Sequence, residues 1–146
     1  MLRLLCLFPL LILAAGLPAA ETWPRFRGKN GAGVSSTQGI PYQWTVKDYR
    51  WSRQLPGVGH SSPVAWEKQL YVTSGDETTG NRLILAVDAD KGTTLWQRSF
   101  RDQAHGKHKL NSFASTTPAV DKDGIYLGWG TPTGVTIMAL GHDGES

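Results

Sequence analysis

The sequence predicts an all-β fold made of short antiparallel strands. Apolar residues occur in short runs rich in β-branched and aromatic side chains, and Gly, Asp and Asn residues separate the runs. After residue 20 no segment has the apolar spacing of an amphipathic helix. The same region contains an internal repeat with a spacing of about 55 residues. Together these observations favour a series of similar β units.

The repeat defines the strands of each unit. SSPVAWEKQLYV begins at Ser61 and TTPAVDKDGIYL begins at Thr116, so Pro63 matches Pro118. Four antiparallel strands in roughly 45 to 55 residues are typical of one β-propeller blade. The sequence therefore predicts a β-propeller of four-stranded blades. We expect strands over 63–66, 69–74, 83–88 and 93–97 in one blade, and over 117–120, 124–129 and 135–140 in the next.

Three parts of the chain follow a leader. Residues 21–59 form an N-terminal segment that ends with the last strand of a preceding blade, because Trp51-Ser52-Arg53 matches Trp96-Gln97-Arg98. Residues 60–114 hold the first complete blade and its long loop, and 115–146 a second, truncated blade. About two blades cannot close a ring of roughly four to eight. We expect an N-terminal fragment of a longer chain, with self-assembly of copies as the alternative.

Residues 1–20 have the pattern of a secretory signal peptide. Arg3 precedes an apolar stretch from Leu4 to about Ala15, and small residues follow it. The stretch is shorter than the roughly 20 residues that span a bilayer. We expect export to the periplasm or the extracellular space, with no membrane span after cleavage; an uncleaved anchor is the alternative. The single cysteine, Cys6, lies in this leader, so cleavage removes the only thiol.

Composition excludes two classes of protein. With 40% hydrophobic and 10% aromatic residues, the chain is too apolar for a disordered protein. The net charge is +3, and no three Lys or Arg residues are consecutive. Nucleic-acid binding is therefore not expected, because it needs basic residues gathered on one face.

Residues 86–96, AVDADKGTTLW, resemble the A-x-D-x-x-T-G-x-x-x-W repeat of pyrroloquinoline-quinone (PQQ)-like β-propeller proteins. Lys91 stands where that repeat usually has Thr, and Gly141 replaces the first Asp in the second copy. Residues 23–35, WPRFRGKNGAGVS, resemble the opening of exported members of the family. The resemblance covers residues 22–146 and implies a quinoprotein-like fold in which the tryptophan packs between neighbouring blades. It implies a structural docking motif of Ala86, Asp88, Gly92 and Trp96.

The resemblance implies two alternative functions. The first is a non-catalytic exported propeller that acts as a binding or scaffold module for a protein or small-molecule partner, without a cofactor in this part of the chain. The second is a PQQ-dependent oxidoreductase, similar to the quinoprotein alcohol or sugar dehydrogenases, that uses PQQ and calcium and has its catalytic residues beyond Ser146. The lack of adjacent cysteines disfavours the second function.

The residues themselves indicate a binding surface and no catalytic or metal-binding site. His105 and His108 lie in a polar segment without a third ligand nearby, and Ser61 beside His60 lacks a nucleophile-elbow motif. Long polar loops on a rigid β scaffold commonly carry binding functions. We therefore expect a partner surface on the loops at one end of the blades, with a merely solvated loop as the alternative. Its candidate residues are His60, Arg101, His105, His108 and Asn111.

Overall fold

The computed structural model describes residues 22–146, so the predicted signal peptide lies outside the described residues. The strands form two antiparallel sheets, which confirms the all-β prediction. One 3-10 turn spans Val46–Asp48. No helix within residues 22–146 is both long and apolar enough to cross a membrane.

Each sheet follows the order of the chain. The first sheet contains β1 (Val64–Trp66), β2 (Gln69–Gly75), β3 (Arg82–Asp88) and β4 (Thr94–Phe100). The second sheet contains β5 (Ala119–Val120), β6 (Ile125–Thr131) and β7 (Gly134–Leu140). The predicted grouping of four strands followed by three is confirmed.

The hairpins extend further than the sequence pattern predicts. β4 runs to Phe100 rather than to residue 97, because its backbone stays paired with β3 as far as the pair Arg82 and Phe100. β6 likewise continues to Thr131, which pairs with Gly134 across a two-residue turn. Polar residues at these strand ends conceal the extension, since the hydrophobic pattern stops before the backbone pairing does.

The core lies between the two sheets. Tyr71, Ile84 and Ala86 from the first sheet are fully buried, as is Ile125 from the second. Side chains two positions apart on a strand point to the same face, which places Ile84 and Ala86 of β3 side by side. The half-buried side chains around this core are Trp66, Trp96, Phe100, Trp129 and Met138.

An N-terminal segment joins the first strands of both sheets, β1 and β5. Trp23 exchanges two backbone hydrogen bonds of 2.9 Å with Ala65 of β1. The next carbonyl, of Pro24, accepts a bond of 2.8 Å from the Val120 amide of β5. Residues 23–24 therefore bridge the two sheets.

The structure differs from the prediction at residues 51–53. This segment, expected to be the last strand of a preceding blade, is not in a strand. A strand needs a partner for its backbone groups, and none of the described residues pairs with it. Its side chains are nevertheless fixed, because Trp51 and Arg53 bond to the turn after β3.

Candidate functional site

The long loop from residue 101 to 118 crosses from the first sheet to the second. Its first part lies against the turn between β2 and β3: the Asp102 amide donates to Oδ1 of Asn81 at 3.1 Å. Gly80, with φ +82°, is so close that an added Cβ would lie 2.3 Å from the backbone of Gln103 and Ala104. Only glycine allows so close an approach of the two backbones together with a positive φ. The turn between β2 and β3 therefore holds the start of the loop in place.

The end of the same loop is held by its buried residues. Phe113 and Ala114 are almost fully buried. The Ala114 carbonyl accepts bonds from the amides of His60 and Ser61 at 3.1 and 3.0 Å, and the Phe113 amide donates to Glu77 at 3.3 Å. The loops 53–62, 75–82 and 100–115, which we expected on one side, therefore contact one another.

A pocket of about 210 Å³ lies where this loop meets the two sheets, and we call it the inter-sheet pocket. Its walls come from the start of β3, the end of β6 and the loop itself. The lining residues are Arg82, His105, Lys107, Asn111, Ser112, Phe113, Ser115, Thr116, Trp129 and Gly130.

Arg82 connects the two sheets at the base of this pocket. Its side chain is 4% exposed. Nη1 donates to the Gly80 carbonyl, and Nη2 donates to the Gly130 carbonyl at 3.0 Å. Asp102 Oδ2 lies 3.6 Å from Nη2 and accepts a bond of 3.1 Å from the indole of Trp129. Burial lowers the pKa of Arg82, but a guanidinium stays charged in proteins.

Lys107 and His105 lie around the same buried ring as Arg82. The Arg82 guanidinium and the Lys107 ammonium lie over the Phe113 ring, 4.5 and 4.9 Å from its centre. The His105 ring packs edge-on at 5.2 Å. Lys107 Nζ also contacts Glu77 at 2.6 Å, and that bond is the main cause of a lowered pKa of Glu77.

The structure separates the predicted partner residues. His105 and Asn111 line the inter-sheet pocket. His60 reaches it only through its backbone, which bonds to Ser112 and Ala114. Arg101 lies in a more open groove beside Thr131 to Thr133. The exposed His108 bonds to the amide of Leu110 within its own loop. The candidates therefore do not form one cluster.

The docking motif spans the turn between β3 and β4. Asp88 Oδ1 accepts bonds of 2.9 Å from the amides of Asp90 and Lys91, and these bonds, that of Lys91 foremost, lower the pKa of Asp88. Ala86 is fully buried. Gly92 has φ +69°, and an added Cβ would lie 2.5 Å from the Trp51 ring. Asp88 and Gly92 thus shape a turn against which the Trp51 ring packs, and Ala86 belongs to the core of β3.

Trp96 packs against the turn that follows β7 in the same way as Trp51 packs against the turn that follows β3. Its Nε1 donates to the His142 carbonyl at 2.8 Å, and its ring lies against Gly144. Arg98 then bonds to the Gly144 carbonyl at 3.0 Å, as Arg53 bonds to that of Gly92 at 3.1 Å. Trp96 is half-buried, and its ring packs against the core between the two sheets.

The remaining polar candidates have structural partners. His105 Nδ1 donates to the Gln103 carbonyl at 3.1 Å, and Ser61 Oγ donates to that of Thr73 at 3.2 Å. Asp121 Oδ1 accepts two backbone bonds within its turn. Among residues 22–146, no three His, Cys, Asp or Glu side chains are placed to share a metal ion.

Sequence reasoning missed Arg82, Phe113 and Trp129. A signal for Arg82 was present: the two-residue period of β3 places it on the face that also holds Ile84 and Ala86. A charged residue on a core face needs partners that compensate its burial.

Neither models of known protein families nor curated protein sequences give a match to this chain.

Proposed function

We propose that this chain belongs to an exported PQQ-like β-propeller and acts as a non-catalytic binding module whose partner site is the inter-sheet pocket. The observation that carries the proposal is the long loop itself. Its start is held against the turn between β2 and β3, its end is held by buried residues, and it borders a pocket lined with polar and aromatic side chains. A merely solvated loop needs neither feature.

The propeller part of the proposal is supported by the way the sheets follow each other. Trp51 with Arg53, and Trp96 with Arg98, make the same contacts to successive turns. The outer strand β7 also leaves Val135 and Ile137 72% and 81% exposed. These two side chains lie on the same face of β7, and a neighbouring sheet would cover such a face in a propeller.

The choice of this end of the sheets is supported by the contrast with the opposite end. There the connections are tight turns, at Glu67-Lys68 and at residues 89–93, and the second turn is already bonded by Trp51 and Arg53. Three long loops meet at the pocket end. Binding sites are commonly found on such loops when a rigid scaffold positions them.

The alternative function, a PQQ-dependent oxidoreductase, stays a prediction. Calcium takes six to eight oxygen ligands, commonly including several carboxylates, and residues 22–146 bring no group of three His, Cys, Asp or Glu side chains together. We therefore assign no residue of this part of the chain to calcium or PQQ and derive no reaction step.

The proposal is tested by mapping binding on the full chain with amide NMR spectra. A panel of peptides, sugars and small organic acids is titrated, and the amides that shift are assigned. We expect shifts in residues 101–116 and 76–82. The combined variant R101A/H105A/H108A/N111A should lose them.

The matched control is K68A/K91A, which changes two exposed residues of the turns at the opposite end. It should keep the binding. The proposal is contradicted if the shifts lie mainly in those turns, if the loop variant binds normally, or if no member of the panel shifts a loop amide.

A further inference from the structure

The inter-sheet pocket has an uneven charge distribution. Arg82 and Lys107 bring two positive charges to its lining, and His105 adds an ionisable ring. Among the described residues, no Asp or Glu side chain lines the pocket. Their acidic partners, Asp102 and Glu77, are not part of this lining: Asp102 Oδ2 lies 3.6 Å from Arg82, and Glu77 lies 2.6 Å from Lys107. The charged side chains that a ligand in the pocket would contact are therefore cations.

The position of Arg82 is fixed before any ligand arrives. Its two terminal nitrogens bond to carbonyl groups from the two sheets, and the guanidinium lies over Phe113. Its Nε is buried, and no acceptor among residues 22–146 bonds to it. An unpaired buried donor costs free energy, whereas a nearby anion would interact favourably with the whole guanidinium group.

Lys107 and His105 leave further donor capacity in the pocket. The Lys107 side chain is 26% exposed and has three donors, one of which faces Glu77. His105 uses Nδ1 for the Gln103 carbonyl, so Nε2 remains, and no described residue bonds to it. The Arg82 and Lys107 cations lie over the Phe113 ring, because the face of an aromatic ring attracts cations, and the His105 ring packs edge-on beside them.

We infer that the inter-sheet pocket binds the anionic group, a carboxylate or a phosphate, of a small molecule. This inference rests on the proposed function and specifies its ligand. The pocket volume of about 210 Å³ is below the roughly 300–1,000 Å³ of pockets for drug-sized ligands. A simple sugar acid or a short organic acid matches this size. Asn111, Ser115 and Thr116 supply uncharged partners for its remaining polar groups.

The test compares glucuronate with glucose, which differ by one carboxylate, on the full chain at low ionic strength. Inorganic phosphate and succinate are titrated separately, to distinguish the two kinds of anionic group. We expect glucuronate, and at least one of phosphate and succinate, to shift the amides of Arg82, Phe113 and Ser115. Glucose should not shift them.

Two substitutions that each remove one positive charge then locate the binding site. Lys107→Gln removes a cation from the lining and should weaken anion binding about fivefold, the effect of one partly screened charge pair. Lys109→Gln removes a cation from the same loop outside the lining and should change it less than twofold. If both variants weaken anion binding equally, the anion responds to the overall electrostatic field and not to the pocket, and the inference is overturned.

Two other results would also overturn it. If glucose binds as well as glucuronate at the pocket amides, the ligand is not recognised by its charge, although the proposed binding site stands. If no anion shifts these amides while another compound of the panel does so elsewhere, both proposals fail. Melting curves of each variant show whether the fold is retained.

Discussion

Trp96 lies in β4 of the first sheet and His142 in the turn that follows β7 of the second, yet the indole of Trp96 donates a 2.8 Å hydrogen bond to the backbone carbonyl of His142. The ring also lies on Gly144, where an added Cβ would be 2.9 Å from it. One side chain thus supplies a hydrogen bond and an apolar contact between the sheets. Trp51 repeats both contacts on Ala89 and Gly92.

The first prediction concerns Trp96. Trp96→Ala should lower the free energy of unfolding by about 3 kcal/mol, the low end of the range for large aromatic residues, because the ring is half-buried. Denaturant unfolding of the full chain measures the change. Trp44→Ala is the control: this side chain is 58% exposed, so the change should stay within about 0.5 kcal/mol. Equal losses in both variants would contradict an inter-sheet role for Trp96.

The second prediction separates two roles of the turn glycines. Gly92→Ala should cost about 2–4 kcal/mol, because it combines a positive φ with a clash against Trp51. Gly31→Ala has a similar φ, +73°, and nothing within 4 Å of the added Cβ, so it should cost only about 1–2 kcal/mol. Thermal or denaturant unfolding measures both. If the two costs agree, the tryptophan ring does not restrict position 92.

The third prediction concerns acid. Hydrogen bonds from the backbone, that of Lys91 foremost, hold the pKa of Asp88 below its ordinary value of 3.8. A lowered folded-state pKa gives stability that is present above the ordinary pKa and is lost as the pH falls through the folded value. Unfolding free energies should therefore decrease as the pH falls below about 4.

Asp88→Asn should reduce this pH dependence, since the amide oxygen still accepts the turn bonds but does not titrate. A residual slope should remain from Asp76 and Asp121, whose pKa values are also lowered by backbone bonds. An unchanged slope in the Asn variant would show that Asp88 does not contribute.

The fourth prediction concerns base. Burial raises the pKa of Tyr71 from 10.0 to about 12. Because the unfolded chain ionises first, the stability that the neutral phenol contributes is retained below about pH 10 and lost between there and about pH 12. Absorbance at the phenolate wavelength should show a late-titrating tyrosine that Tyr71→Phe removes. A titration that is complete near the ordinary value in the folded chain would contradict this.

The internal repeat predicts the strands better than it predicts burial. Tyr71 and Tyr126 occupy matching positions in the sequence, but Tyr71 is fully buried and Tyr126 is 40% exposed. Tyr71 lies between the sheets, with its hydroxyl 2.8 Å from His142 Nδ1. The hydroxyl of Tyr126 bonds to Asp121 of its own turn instead. Local patterns encode the strand, whereas burial depends on whether a second sheet covers it.

The candidate site shows a similar division. A long polar loop was identifiable from composition, and so were His105 and Asn111 within it. The contact between this loop and Arg82 was not identifiable from the sequence. It depends on the burial of Phe113, which lies at the far end of the loop. Spacing along the chain does not reveal which loop side chains turn inward.

The bridge made by Trp23 and Pro24 has a consequence for folding kinetics. Both sheets consist of hairpins between neighbouring strands, so their contacts are close in sequence and form early. The bonds from Trp23 to Ala65 and from Pro24 to Val120 close far longer loops, which carry a greater entropic cost. Contacts that form after the transition state slow unfolding more than they speed folding. We therefore expect loss of these bonds to speed the unfolding of the joined sheets more than it slows the formation of either sheet.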